Sequence, residues 1–172
     1  MPKHRVTATR RIAAPAPITY AIIADYRDGH PHILPPDYFR NLRVESGGVG
    51  AGTVITFDMR VLGSTKPTRG TVAEPSPGRV ITEHYAATDV LTEFTVEPAK
   101  DGTACDVTIA SNLPVHGGLA GMLERAFMNR YLRRAFDAEL TLLDTVAQQR
   151  SARTRGPEAR DAHGGRTANE RR

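Results

Sequence analysis

The sequence predicts one α+β domain: a curved antiparallel sheet of six to seven strands wrapped around a long C-terminal helix, with two short helices after the first strand. Three observations carry this. Between residues 39 and 112, short alternating segments follow one another with only turn signals between them. Residues 118–147 then show helical periodicity over a length that local propensity alone does not hold in water. A sheet must bury one face, and this helix is the only predicted element long enough to cover it.

The opening strand covers residues 4–12, where Val6, Ala8 and Arg10 alternate with Thr7, Thr9 and Arg11. Ala14-Pro15 ends it. Pro17 suits the first turn of a helix, where its missing N–H is not needed, and Ile18, Tyr20, Ala21, Ile22, Ile23 and Ala24 carry that helix to about Tyr26. Residues 27–38 contain Gly29, Pro31, Pro35 and Pro36, which leave room only for a short helix or a loop. Strands follow at 40–45, 53–62, 66–74, 79–86, 90–97 and 103–112. The second of these alternates cleanly, with Ile55, Phe57, Met59 and Val61 on one face and Thr56, Asp58 and Arg60 on the other. Gly63-Ser64, Pro75-Ser76-Pro77-Gly78 and Asp101-Gly102 are turn signals, so the strands form an antiparallel meander.

The last helix has two apolar faces. Leu119, Met122, Leu123, Ala126 and Phe127 share one side, while Leu132, Ala135, Phe136, Leu142 and Leu143 centre on another. Either a bend near Met128-Asn129 reconciles them, or the first half faces a cavity and the second the sheet edge.

A chain of 172 residues with 40% hydrophobic content supports one core, placed at residues 3–149. The formal charge of +4 is concentrated at the end: residues 150–172 hold seven Arg against three acids. A near-neutral body with a basic tail is not the broad basic face that duplex binding uses, so no nucleic-acid partner is expected. The tail lacks apolar periodicity and is expected to be disordered. Cys105 is the single cysteine, which rules out an internal disulfide and fits a reducing cytoplasm. No uncharged apolar run is long enough to span a bilayer, and the N-terminus carries no apolar signal core.

The order of elements resembles the START/birch-pollen-allergen-like superfamily, in particular its bacterial polyketide cyclase/dehydrase and lipid-transport branch. The resemblance covers residues 4 to about 147. It is carried by Ile12-Ala13-Ala14-Pro15, by the helix running to Asp25-Tyr26, by the loop from Val44 to Thr53, by Glu74-Pro75-Ser76-Pro77-Gly78-Arg79, and by Val96-Glu97-Pro98 leading to Asp101-Gly102-Thr103. Relatives often carry Trp after the first helix; this chain has none, and reads His30-Pro31-His32-Ile33-Leu34 there. The resemblance implies a helix-grip fold with an internal apolar cavity. Members bind lipids, sterols, polyketides or plant hormones, some cyclise and dehydrate polyketides, and many only bind or carry.

Candidate site residues follow. The glycine loop at 47–52 joins two strands, whereas a phosphate cradle leads into a helix, so it is read as a hairpin rimming the cavity. A zinc site needs three convergent ligands, and the spacing of the six His residues does not force that; no metal and no cofactor is expected. His30 and His32 are read as loop residues beside the cavity mouth. His116, in Pro114-Val115-His116-Gly117-Gly118, borders the mouth and suits proton transfer near neutral pH. On the strand at 79–86, either Thr82 and His84 or Ile81, Glu83 and Tyr85 face inward, which makes His84 and Tyr85 candidate polar groups. Arg69 and Glu93 are further candidates; an inward Arg69 would need a carboxylate partner or an acidic ligand. Cys105 shares a face with Val107 and Ile109 and is read as core. The ligand-contact set is Ile33, Leu34 and Tyr38 from the first loop, Phe57, Met59, Arg69, His84, Tyr85, Phe94 and Ile109 from the sheet, His116, and Met122, Leu123 and Phe127 from the helix. Phe94, Val96, Met122, Leu123, Phe127 and Tyr131 either line the cavity or fill the core, and core is the expectation for any one of them.

The expected function is binding or carriage of an apolar small molecule, lipid-like, aromatic or polyketide. One alternative is a cyclase/aromatase-type enzyme using His84, Tyr85, His116 or an inward Arg as acid or base. Another is an interaction module acting through the basic tail. Two or more polar groups converging deep inside favour the enzyme; polar groups only at the mouth favour the binder. Open sheet edges leave monomer or homodimer as the expected states.

Overall fold

The computed structural model describes residues 3–61, 63–114 and 117–155. Its elements are β1 (Lys3–Ile12), α1 (Ala16–Ala24), a 3-10 turn (His30–His32), β2 (Phe39–Ser46), β3 (Val54–Val61), β4 (Ser64–Ser76), β5 (Val80–Tyr85), β6 (Val90–Pro98), β7 (Cys105–Pro114) and α2 (Gly118–Arg155). The two expected short helices are thus one α-helix and one 3-10 turn. The seven strands form one curved antiparallel sheet in the order β1-β7-β6-β5-β4-β3-β2. Strands β2 to β7 meander as expected from their turns. Strand β1 closes the far side by pairing with β7, from Lys3↔Pro114 to Ile12↔Cys105. Helix α1 and the 3-10 turn carry the chain between the two sheet edges, β1 and β2.

The inner face of the sheet follows the two-residue period of a strand. Val6 and Ala8, Ile55 and Phe57, Phe94 and Val96, and Cys105, Val107 and Ile109 are buried on it. Helix α2 lies across this face and buries Leu132, Ala135, Phe136, Leu140, Leu143 and Ala147. The core therefore sits between the sheet and the C-terminal two thirds of α2, closed at one end by Ile22, Ile23 and Tyr26.

Helix α2 corrects the sequence reading in three respects. It runs unbroken through Met128-Asn129. Its core-facing stripe is the partly buried Met128 and the buried Leu132, Phe136, Leu140, Leu143 and Ala147, a single row at spacings of three and four that needs no bend. The other apolar row of the first half, Leu119, Met122, Leu123 and Phe127, is exposed. The helix also continues to Arg155, past the expected end at Ala147, with Ser151 buried and Arg150 Nη2 donating to the Asp28 carbonyl at 3.3 Å. The remainder of the expected basic tail, 156–172, lies outside the described residues.

The glycine loop is pinned to α1 and does not border the cavity. Tyr26 N donates to Gly48 O at 2.9 Å, Gly50 N to Ala24 O at 2.9 Å, and Ala51 N to Glu74 Oε2 at 2.8 Å. Glu74 Oε1 in turn accepts from the Tyr20 hydroxyl at 2.5 Å. Gly48 and Gly50 have φ of 135° and 62°, and a Cβ on Gly50 would stand 2.3 Å from Glu74 Oε2. The glycines serve close approach of the loop to the helix end.

Candidate functional site

One helix across seven strands leaves space uncovered. A cavity of about 530 Å³ lies between the inner sheet face and the N-terminal half of α2, within the size range of a small-molecule site. Its walls are mainly apolar: Phe57 and Met59 from β3, Phe94 from β6, Leu113 from β7, and Met128 and Leu132 from α2. Leu34, after the 3-10 turn, closes one side. The stripe of α2 over the cavity also includes Gly121, Glu124, Arg125 and Glu139. That polar content explains why the sequence reading chose the more apolar neighbouring row. Tyr131 anchors this half of the helix, its hydroxyl donating to the Arg60 carbonyl and its ring packing edge-on to Tyr38 at 5.3 Å.

The inner end of the cavity is polar and buried. Glu83 of β5, Glu139 of α2 and His30 of the 3-10 turn all line it and are all nearly inaccessible. Glu83 accepts from two tyrosines: the Tyr26 hydroxyl at 2.7 Å from Oε1, and the Tyr85 hydroxyl at Oε2. Burial, reinforced by Glu83, pushes both tyrosines well above their ordinary value of 10.0, so they remain hydroxyl donors. His30 stacks on Tyr26 at 4.5 Å between centroids. Its Nδ1 lies 2.8 Å from the Ile23 carbonyl, which can only accept; the proton is therefore on Nδ1, and Nε2 points toward Glu83 and Glu139 at 3.7 and 3.9 Å. Burial, and secondly the neighbouring Glu83, holds Glu139 well above the usual carboxylate range. Glu139 Oε1 has no hydrogen-bond partner among the described residues. Thr92 and Ser111 also line the cavity but satisfy each other at 2.6 Å.

The structure resolves the ambiguity of β5: Ile81, Glu83 and Tyr85 face inward and His84 outward. Of the expected contact residues, Leu34, Phe57, Met59, Tyr85 and Phe94 line the cavity. Ile33 and Ile109 are fully buried in the core behind it. Tyr38 packs on Phe39 and Tyr131 outside the lining. Arg69 is exposed and paired with Glu45 at 2.8 Å, since its side of β4 is the outer one. His84 is exposed, 3.9 Å from Asp89. Met122, Leu123 and Phe127 stand on the exposed row of α2. His116 lies outside the described residues. Glu93 is on the outer face, paired with Arg5 at 3.1 Å. Cys105 is buried beside Thr19, and burial raises its thiol above the ordinary value.

His30, Glu139, Tyr26 and the inward His4 are what sequence reasoning missed. His30 was expected at the mouth and is instead at the inner end, because the backbone N–H groups of Gly29 and His30 donate to Asp25 O and fold the turn back under α1. A signal for Glu139 existed: it falls on the row of Leu132, Phe136 and Leu143, where a charged residue among buried apolar ones is exceptional.

The profile of the family described as polyketide cyclase/dehydrase and lipid transport matches residues 3–148. No curated protein matches the sequence. Among solved structures, the KanY protein is similar at 28% identity and a TM-score of 0.74, covering 86% of this chain and 99% of that one. The Zhui aromatase/cyclase from Streptomyces sp. R1128 aligns at 18% identity and a TM-score of 0.70, over 86% of this chain and 95% of that one. A START superfamily protein from Mycobacterium smegmatis aligns at 15% and 0.67, over 85% and 98%. With the helix-grip architecture, the cavity beneath α2 and a profile match over nearly the whole described chain, this protein belongs to the polyketide cyclase/dehydrase and lipid-transport family.

Proposed function

We propose that the protein binds an apolar small molecule, aromatic, polyketide or lipid-like, in the cavity between the sheet and α2. The observation that carries this is the cavity itself: about 530 Å³ walled mainly by apolar side chains. The neutral fluorophore N-phenyl-1-naphthylamine tests it. Its emission should rise saturably at one probe per chain, and Met59→Trp, which fills the space from the β3 side, should abolish the rise. Equal emission with both proteins would place the probe elsewhere and count against the cavity.

A second reading, a cyclase- or dehydrase-type enzyme, is favoured by the convergence of His30, Glu83, Glu139 and Tyr85 at the inner end. Polar groups at the mouth alone would favour a binder; here two carboxyls and a His within 4 Å can exchange a proton with a held ligand. The Zhui aromatase/cyclase shares the fold. Incubating a linear poly-β-ketone thioester with the protein should change the distribution of cyclised products from that of the spontaneous reaction. An unchanged distribution would leave binding as the function. In either reading the partner is the small molecule rather than a nucleic acid, the protein acts as a monomer or homodimer, and its buried lone thiol suits a reducing cytoplasm.

A further inference from the structure

The two carboxyls at the inner end of the cavity are not equivalent. Both oxygens of Glu83 already accept from tyrosine hydroxyls. Glu139 is 3% exposed, lines the cavity, and has at Oε1 no hydrogen-bond partner among the described residues. His30 Nε2 is 3.9 Å from it, beyond hydrogen-bond distance. The groups facing Glu139 are Glu83 and Tyr85 from β5 and His30 and Tyr26 from the segment after α1. Two carboxylates cannot both ionise cheaply in such an apolar site, and the negative charge belongs where donors already meet it. That place is Glu83. Glu139 is left as a carboxylic acid whose Oε1 has no hydrogen-bond partner among the described residues.

We infer that Glu139 is the free hydrogen-bond donor at the inner end of the cavity, and that this end takes an uncharged ligand oxygen, a ketone or enol, in preference to a carboxylate or an ammonium group. A ligand carboxylate would stand against the Glu83 charge. A ligand ammonium would share the Glu83 oxygens with the two tyrosines and give up its hydration in a largely apolar cavity. A neutral carbonyl oxygen satisfies the Glu139 proton without adding charge to a buried site. The selection separates ketone-bearing aromatic molecules from fatty acids, which a purely apolar cavity would admit alike.

The inference rests on the cavity being the ligand site, and a matched pair of probes separates the two. Fluorene and 9-fluorenone share one tricyclic shape and differ at the ketone. Binding of each probe is read by equilibrium dialysis with absorbance detection. The full chain should bind fluorenone about tenfold more tightly than fluorene. Glu139→Leu should bind both equally, and Glu139→Gln, whose amide still donates, should keep the preference. The infrared carbonyl band of bound fluorenone should move to lower frequency in the wild type and not in Glu139→Leu. A fluorenone-to-fluorene ratio that is the same in the wild type and Glu139→Leu overturns the inference while leaving the cavity reading intact. Tighter binding of protonated 9-aminofluorene than of fluorenone also overturns it. Binding of neither fluorene nor fluorenone overturns both.

Discussion

Glu83 is held by hydroxyls from two different places, and each can be removed singly. Tyr26→Phe leaves Glu83 Oε1 without its donor in a buried site. The expected cost is about 1–3 kcal/mol in denaturant unfolding; a change under about 0.5 kcal/mol would mean that the carboxyl finds another partner. Tyr85 depends on its neighbour Gly70, where a Cβ would stand 2.7 Å from the Tyr85 Cε1. Gly70→Ala should displace the ring, destabilise by about 1–3 kcal/mol, and weaken probe binding. Unaltered stability and binding would show that the ring moves freely. Glu139 sets a pH dependence. Its folded-state value lies well above the ordinary 4.5. Above pH 4.5 the unfolded chain has released a proton that the folded chain still holds, so this group's contribution to stability falls as pH rises toward the folded value. Glu139→Gln does not titrate. Between about pH 5 and about pH 8 its Tm should therefore decline less than that of the wild type, and parallel profiles would contradict the assignment. None of this was legible from composition. On β5, Thr82, Glu83, His84 and Tyr85 offer polar and apolar groups to both faces, so alternation alone does not say which pair turns inward.

At the scale of elements, the strands were legible because most alternate with a two-residue period and all but β5, which turns through Ala86-Ala87-Thr88-Asp89, run into a nearby Gly or Pro; every one of the seven lies within about three residues of its expected bounds. Helix α2 was legible in position and not in orientation. The row Leu119, Met122, Leu123 and Phe127 is the more apolar one, yet it is exposed, while the row containing Arg125 and Glu139 covers the cavity. A helix over a filled core is chosen by hydrophobicity; a helix over a ligand cavity carries the polar groups that the ligand needs, and the periodic signal weakens there. The two rows make opposite predictions. Phe136→Ala, at a position 3% exposed, should cost about 3–5 kcal/mol in unfolding free energy. Leu123→Ala, at a position 66% exposed, should stay within about 0.5 kcal/mol of the wild type. Similar losses at both sites would mean that the exposed row is covered in solution.

For the whole molecule, topology and function were legible to different depths. A meander of short-turned strands with one preceding strand left over admits few closures, and the pairing of β1 with β7 completes the sheet without crossing any connection. Whether such a sheet encloses space depends on side-chain volumes meeting across about 10 Å, which no periodicity reports. The same holds for the convergence of His30, Glu83 and Glu139, which lie far apart in the chain and are joined only by the fold. No helix among the described residues is long and apolar enough to cross a membrane. The central claim is that the cavity holds a ligand, and native mass spectrometry of the gently purified full chain tests it most directly. A defined mass added to the 18.7 kDa chain at one per protein, released into organic solvent on denaturation and absent from Met59→Trp, is the expected result. Repeated recovery of bare protein, together with no uptake of fluorene, fluorenone or the naphthylamine probe, would contradict it.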